Sequence, residues 1–176
     1  MIVCAGGNEL IEGALPIGIG LIDSTINLTR LLLFDPPSSI LFVGSAGTYG
    51  DHEIFQIVES KSASHIEGSF AMQQSYTPLD NLISSASDVS RETIVNSSNY
   101  ITKDAILAQK FRSMGLGIEN MEFFAVMRVA QAFGVSAGGV FVITNRCDET
   151  AHEQFIRHHN EAKQRLIDYL DAKGRG

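Results

Sequence analysis

Four short segments of the sequence carry groups that can act on a substrate. Gly18-Ile19-Gly20 precedes a helical pattern, where glycines let an anion or a sugar approach the backbone and free helix N–H groups can bind it. Gly44-Ser45-Ala46-Gly47 follows an apolar run and offers the Ser45 hydroxyl and N–H. Glu122 begins an apolar helical pattern and Asp148 follows an apolar strand, so both carboxylates are expected at the rim where open α/β sheets bind ligands.

Each of these features also has a purely structural interpretation. The glycines can serve tight turns, Glu122 can be a charge that favours a helix N-terminus, and Asp148 can be a turn residue.

A dinucleotide cofactor and a zinc site are both disfavoured by the sequence. The dinucleotide pattern needs a third glycine where the chain has Asp23, and a zinc helix starting at His152 needs a second histidine where it has Ile156. The sequence therefore predicts no cofactor and no metal.

Apolar runs and helical spacings alternate along the chain. Strands are predicted at residues 2–5, 14–19, 40–43, within 54–64, at 93–95 and at 139–144. Helices are predicted at residues 22–33, 102–114, 121–133 and from 150 to the C-terminal residues 173–176. Residues 67–90 are polar and lack a period, which indicates a long loop. This alternation predicts one α/β domain over residues 1–176, with a sheet covered by helices.

Local signals set the expected helix boundaries. Thr102 is expected to cap the helix that follows it, with Gly115 and Gly117 as its stop signals. Thr150 and Glu153 have the spacing of a capping box at the start of the last helix.

Composition narrows the functional class. The 176 residues include 13 Lys and Arg against 20 Asp and Glu, a formal charge of −7, so no basic surface for nucleic acid is expected. No apolar stretch is long enough for a membrane span, and no secretory signal is visible. Cys4 and Cys147 are expected to be reduced thiols in a cytoplasmic protein.

The order of these motifs resembles the purine nucleoside phosphorylase and nucleosidase superfamily, which includes methylthioadenosine/adenosylhomocysteine nucleosidases, futalosine hydrolases and bacterial phosphorylases. The most specific part is Asn120-Met121-Glu122 followed by Phe133-Gly134-Val135, an apolar strand and Asp148. The resemblance implies a mixed twisted sheet, partly closed as a barrel and flanked by helices. It also implies cleavage of the N-glycosidic bond of purine nucleosides, with phosphate or water as acceptor.

The resemblance assigns roles to residues around the sugar and the base. Glu122 matches the carboxylate that holds the ribose hydroxyls, and Met121 matches the residue packed behind the sugar. Asp148 matches the acid at purine N7. Tyr100 matches the aromatic ring against the base, and Ile101 matches the position whose main chain reads the purine edge.

The chemistry explains these residue types. Departure of the base leaves an oxocarbenium-like sugar, so carboxylates near the ring and a proton for the purine both lower the barrier. Asp148 must therefore carry or share a proton.

The resemblance places the acceptor near Ser45, with the backbone of Gly20 also in the substrate site. The segment before Gly18 is shorter than in relatives, so two positions are open for the carboxylate that activates the nucleophile. We expect it at Glu9, with Glu12 as the alternative. Phe42 stands where bacterial phosphorylases have a phosphate-binding arginine, which slightly favours water as acceptor over phosphate.

Two further expectations concern turnover and assembly. Phe123 replaces a small residue of the family motif and is expected to narrow the pocket. With the short N-terminal segment, this keeps open a second hypothesis, a nucleoside-binding regulatory protein with little or no turnover.

The resemblance implies a homo-oligomer, either a dimer or a hexamer. Residues 70–81 are a candidate contact, because Phe70, Met72 and Tyr76 lie among polar residues there. The alternative for this segment is an ordinary surface flap.

Overall fold

The computed structural model describes residues 1–174 apart from the side chain of Arg91, and Arg175 and Gly176 of the predicted C-terminal segment lie outside the described residues. The strands are β1 Ile2–Cys4, β2 Leu15–Pro16, β3 Ser39–Thr48, β4 Ile57–Ser60, β5 Ser62–Ser64, β6 Leu82–Ser84, β7 Ile94–Ser97, β8 Leu116–Asn120 and β9 Ser136–Arg146. The helices are α1 Gly20–Phe34, α2 Gly68–Ala71, α3 Ala105–Ser113, α4 Phe123–Phe133 and α5 Ala151–Ala172, with 3₁₀ turns at Gly7–Glu9 and Val89–Arg91.

Strand β3 is the organising element of the sheet. It pairs in parallel with β9 from Ser39 to Thr48, and its other edge pairs with β1 in parallel and then with β8 antiparallel. The register between β3 and β9 shifts between Ala46 and Gly47. Since a register shift re-aims side chains, this irregularity lies where a site can be built.

The sheet curls back towards itself without a complete ladder. The order β2-β1-β3-β8-β7-β5-β6 continues from β3 through β9 to β4 on the other side. Lys61 alone separates β4 from β5 along the chain, but these two strands do not pair within the described residues. The sheet is therefore mixed and bent, and it is not a closed barrel.

Helices cover both faces of this sheet. Alternate residues of the central strands point to opposite sides, so Phe42 and Phe141 pack with the core that includes α1 and α4. Val43 and Val142 pack with Leu166 of α5 on the other side. The arrangement has three layers, helix, sheet and helix, as the sequence predicts.

Several element boundaries differ from the prediction. Strands β3 and β9 are longer than expected, and Gly44-Ser45-Ala46-Gly47 lies inside β3 and does not end it. The predicted strand at 14–19 is two residues long, and the region 54–64 holds two strands, β4 and β5. The predicted loop 67–90 contains α2, β6 and most of a 3₁₀ turn.

The largest omission is strand β8, which begins directly after Gly115 and contains Gly117. The cap of α3 is Asp104, whose carboxylate accepts the Leu107 N–H, and not Thr102. The capping-box prediction is wrong as well, because the Thr150 side chain bonds no helix N–H.

Within residues 1–174, none of the helices has the length and apolar character needed to cross a membrane.

Candidate active site

A cavity of about 290 Å³ lies where β3, β8 and β9 end. Strand β3 lines it from Ser45 to Gly47, β8 contributes Glu119 and Asn120, and β9 contributes Asn145. Three other parts of the chain complete the wall: the 3₁₀ turn with Glu9, the segment with Tyr100 and Ile101, and the first turns of α5. The cavity is large enough for a small organic ligand, close to the lower limit of typical ligand pockets.

Glu122 is the most enclosed acid of the cavity, with 3% of its surface exposed. It stands at the N-cap of α4, and its Oε1 accepts the Gly20 N–H at 2.9 Å. Its Oε2 accepts the Met121 N–H and the Asn120 side-chain amide, both at 3.2 Å. These donors hold the carboxylate at a fixed place in the wall, beside Met121, which also lines the cavity.

Burial raises the pKa of Glu122 to about 7, with a further contribution from the negative charge of Glu9. The hydrogen bonds from the Gly20 and Met121 backbone act in the opposite direction. The pKa of a carboxyl rises when water is removed, because the charged form loses its hydration. The carboxyl of Glu122 therefore gains or loses its proton near neutral pH.

Gly20 does not line the cavity, but its N–H orients the Glu122 carboxylate. Its φ of +82° lies in the left-handed region, and a Cβ there would lie 2.8 Å from Asn99 Oδ1. The same Asn99 oxygen accepts the Leu21 N–H. A side chain at residue 20 would disturb both the backbone and this contact, so glycine is required.

Glu9 and Ser45 form a second polar unit of the wall. The Oε1 of Glu9 accepts the Ser45 N–H at 2.9 Å and also the Ser45 hydroxyl. Gly6 and Gly7, both with positive φ, form the 3₁₀ turn that brings Glu9 back to β3. Glu9 is thus the carboxylate at Ser45, whereas Glu12 does not line the cavity.

A hydrogen-bonded cluster centred on Glu119 forms part of the cavity wall. Its carboxylate accepts the Thr102 N–H, the Thr102 hydroxyl and the Tyr49 hydroxyl, at 2.6 to 2.9 Å. Burial raises the pKa of Tyr49, and the charge of Glu119 raises it further, so the phenol keeps its proton. Thr102 follows Tyr100 and Ile101, which line the mouth and are 84% and 52% exposed. Glu119 therefore anchors the segment that carries both residues.

Asp148 does not line this cavity. Its Oδ1 accepts the Thr150 N–H at 2.8 Å and the Thr150 hydroxyl at 2.6 Å, in a turn that precedes α5. Strand β9 runs on to Arg146, so the side chain at the strand end that lines the cavity is Asn145. The geometry does not support the placement of Asp148 against a purine, and its acid role stays a prediction.

Phe123 also lies away from the cavity. It is fully buried and packs against Phe42 and Phe141, with ring centroids 6.1 and 5.1 Å apart. The expectation that Phe123 narrows the pocket is wrong, because its ring fills the core between α4 and the sheet. Phe42, which stands where the resemblance would place a phosphate-binding arginine, belongs to the same aromatic cluster.

Of the eight residues given a catalytic or binding role from the sequence, the structure brings six to one cavity: Glu9, Ser45, Tyr100, Ile101, Met121 and Glu122. Gly20 supports this set, and Asp148 lies outside it. Sequence reasoning missed Glu119, Asn145 and Phe155. Asn145, a polar residue directly after the apolar run, is a local signal for a side chain at this rim of the sheet, whereas Glu119 has no local signal.

The chain belongs to the phosphorylase superfamily, since the model of that family matches residues 1–172. The resemblance to nucleoside phosphorylases and nucleosidases is confirmed, and so is the mixed α/β fold.

Solved structures of nucleosidases share this fold. The 5′-methylthioadenosine/S-adenosylhomocysteine nucleosidase of Helicobacter pylori is 16% identical and aligns over 97% of this chain and 95% of its own, with a TM-score of 0.81. The futalosine hydrolase of the same organism is 17% identical over 97% and 94%, with a TM-score of 0.81. The corresponding Streptococcus pneumoniae nucleosidase is 12% identical over 96% and 95%, with a TM-score of 0.76. No curated protein sequence matches the chain.

Proposed function

We propose that this protein cleaves the N-glycosidic bond of purine nucleosides. The observation that carries the proposal is the pair of acids, Glu9 and Glu122, that line one cavity while Ser45 binds the first of them. Bond cleavage develops positive charge on the sugar, and two carboxylates in a partly enclosed site stabilise that charge. Family membership and the shared fold support the same reaction class.

Glu122 is the candidate for binding the sugar hydroxyls. A carboxylate offers two oxygens as acceptors, and hydroxyl groups are donors of matching geometry. Because Glu122 is held by three protein donors, it can meet a substrate without reorganising. Met121 beside it supplies an apolar surface for the sugar ring.

Water is the better acceptor for this site. The two donors that Ser45 could offer to phosphate, its N–H and its hydroxyl, both bind the Glu9 carboxylate. A phosphate dianion would have to displace that carboxylate and approach its charge. Phe42 is fully buried in an aromatic core, so it supplies no cation in compensation. Glu9 is instead suited to take a proton from an attacking water.

The base is expected at the end of the cavity lined by Asn145, Tyr100 and Ile101. The Asn145 Oδ1 accepts the Thr144 hydroxyl, and its amide nitrogen donates to the Arg146 carbonyl. One amide N–H is left for a purine acceptor atom. The Tyr100 ring is free to cover the base by stacking.

The test is base release from a panel of nucleosides with and without phosphate. The panel contains inosine, adenosine, 5′-methylthioadenosine and futalosine. The last two are included because the structural relatives are named for them. Free base and free sugar in phosphate-free buffer support the proposed hydrolase. Tight binding of nucleosides without base release would establish the alternative, a nucleoside-binding regulatory protein.

A homo-oligomer is part of the proposal. Residues 70–81 expose Met72, Tyr76 and Leu79, with 42%, 91% and 71% of their surfaces accessible. Large apolar side chains grouped in one segment are typical of interface cores. Light scattering of the purified chain, compared with a Tyr76→Ser and Leu79→Ser double variant, tests whether a second copy covers this segment.

A further inference from the structure

The cavity wall beside Glu122 contains a second polar side chain, the amide of Asn120. Asn120 is the last residue of β8, is half-buried and lines the cavity together with Met121 and Glu122. Its main-chain carbonyl accepts the Ser98 N–H at 3.2 Å. The part of Asn120 that can still bind a ligand is therefore the side chain.

The orientation of this amide is fixed by its oxygen. Oδ1 accepts the Ser97 hydroxyl at 2.9 Å and the Phe123 N–H at 3.2 Å. A backbone N–H is always a donor, so the atom that faces Phe123 must be the amide oxygen. Ser97 is fully buried, and its hydroxyl is held in turn by the Phe124 N–H at 3.0 Å. The amide nitrogen of Asn120 therefore faces Glu122.

The amide nitrogen has a second hydrogen that the protein does not use. It donates one hydrogen bond, of 3.2 Å, to the Oε2 of Glu122. An amide nitrogen carries two hydrogens, and no other group within residues 1–174 accepts one from Asn120. Because Asn120 lines the cavity, the second hydrogen is available to a bound ligand.

Glu122 has little acceptor capacity left for a substrate. The two oxygens of a carboxylate accept about four hydrogen bonds. The Gly20 N–H binds Oε1, and the Met121 N–H and the Asn120 amide bind Oε2. About one acceptor position is left, and it lies on Oε1. A sugar with two adjacent hydroxyls therefore needs a further protein group besides this carboxylate.

We propose that Asn120 donates its second amide N–H to one hydroxyl of the sugar while Glu122 accepts a hydrogen bond from the neighbouring hydroxyl. The inference rests on the proposed function, and it makes Asn120 a residue that selects ribonucleosides. Each ribose hydroxyl can donate one hydrogen bond and accept others. The hydroxyl bound to Asn120 donates to its neighbour, which donates to Oε1 of Glu122. A sugar that lacks one hydroxyl leaves a polar group of the site unpaired, which disfavours it.

The test compares Asn120→Ala and Asn120→Asp with the wild type on adenosine, 2′-deoxyadenosine and 3′-deoxyadenosine, or on the inosine series if inosine is cleaved faster. For each substrate, kcat/KM of the variant is divided by that of the wild type, which removes the different intrinsic reactivity of deoxy sugars. Asn120→Asp keeps an oxygen for Ser97 and Phe123 but has no amide hydrogens, so it replaces the alanine variant if that one fails to fold. Asn160→Ala, on the exposed side of α5 and outside the cavity, is the control.

The Asn120 variants should lose at least about tenfold more activity on the ribonucleoside and one deoxynucleoside than on the other deoxynucleoside. The substrate that is less affected is the one without the hydroxyl that Asn120 binds. A loss shared by all three substrates, on top of this difference, reports the lost bond to Glu122. Equal losses on all three substrates, or no loss on any of them, would overturn the role of Asn120 in selecting the sugar.

Failure of the proposed function gives a different result. A wild type that binds nucleosides and releases no base overturns the function, and the same three ligands are then compared by calorimetry. The Asn120 variants should raise Kd at least about tenfold more for two of the ligands than for the third, and equal changes overturn the inference as well. Wild-type protein that neither cleaves nor binds any nucleoside overturns both.

Discussion

The Gly20 N–H donates a hydrogen bond of 2.9 Å to the Oε1 of Glu122, a residue 102 positions later in the chain. This bond joins the first residue of α1 to the N-cap of α4, two helices that also pack against each other. The orientation of the acid therefore depends on backbone geometry as well as on its own helix.

Replacement of Glu122 by Gln should lower kcat/KM for nucleoside cleavage by at least about 100-fold, or roughly 2.7 kcal/mol of transition-state stabilisation. The amide keeps the size of the side chain but loses the charge that opposes the developing sugar cation. Steady-state kinetics of Glu122→Gln check this, with the exposed Glu149→Gln as control. Near-normal turnover in Glu122→Gln would remove Glu122 from the sugar site.

The raised pKa of Glu122 should make stability depend on pH. A carboxyl with a folded-state pKa of about 7 binds a proton more tightly in the folded than in the unfolded chain. Its stabilising contribution is therefore fully present below its ordinary pKa and is lost as pH rises through 7. Denaturant unfolding should show Glu122→Gln gaining up to about 3 kcal/mol relative to wild type between pH 5 and pH 8. An unchanged difference between the two proteins at these pH values would contradict the buried, protonated acid.

Glu9 and Ser45 should differ in how much activity depends on them. Glu9→Gln removes the proposed base and should reduce hydrolysis by about 10²–10⁴-fold. Ser45→Ala should cost less, because the residue 45 N–H still holds the carboxylate. Base release in phosphate-free buffer measures both, and Glu12→Gln, outside the cavity, is the control. Strict dependence of the wild type on phosphate, with a sugar phosphate as product, would show the acceptor assignment to be wrong.

The base end of the cavity can be tested by comparing Asn145→Ala with Asp148→Ala. Loss of the Asn145 amide should reduce kcat/KM by about tenfold or more, the value of one hydrogen bond to the departing base. Loss of Asp148 should leave activity within a few-fold and lower stability by about 1 kcal/mol, because the turn before α5 loses its acceptor. The reverse ranking in kinetics would restore Asp148 as the purine acid.

Glu119 should affect substrate binding more than the chemical step. Glu119→Gln replaces one acceptor oxygen by a donor nitrogen and disrupts the bonds to Thr102 and Tyr49. The segment with Tyr100 and Ile101 then loses its anchor, so KM should rise by about tenfold while kcat changes less. A fall in kcat alone would place Glu119 in the chemistry instead.

The fold class and most of the site residues could be predicted because their signals are local or carried by recognisable motifs. Glycines were the main source of error. The sequence predicts that Gly47 ends a strand, but Gly47 lies inside β3, and a Cβ there would lie 2.9 Å from both Asn145 Nδ2 and Cys147 Sγ. Residue 47 must be small because the side chains of Asn145, Cys147 and Glu119 surround it closely. Such crowding cannot be recognised until the fold is known.

Strand β8 and its acid could not be predicted for a related reason. The strand is defined by pairing with β3 and β7, and its own five residues include a glycine and an asparagine. The donors to Glu119 come from Tyr49 and Thr102, far away in the sequence. Asp148 is predicted at the rim of the sheet because it follows the apolar run 139–144 and matches the acid of the family, whereas β9 runs two residues beyond that run, to Arg146.

The spread of the site along the chain governs when it can exist during synthesis. Glu9 lies near the N-terminus, Glu122 is bound by a residue from α1, and Phe155 closes the cavity from α5. A nascent chain on the ribosome therefore exposes its acids without the enclosing cavity until α5 has emerged. Such long-range closure also slows folding. Nucleoside added during refolding should bind only in the last kinetic phase, together with the docking of α5 onto β9.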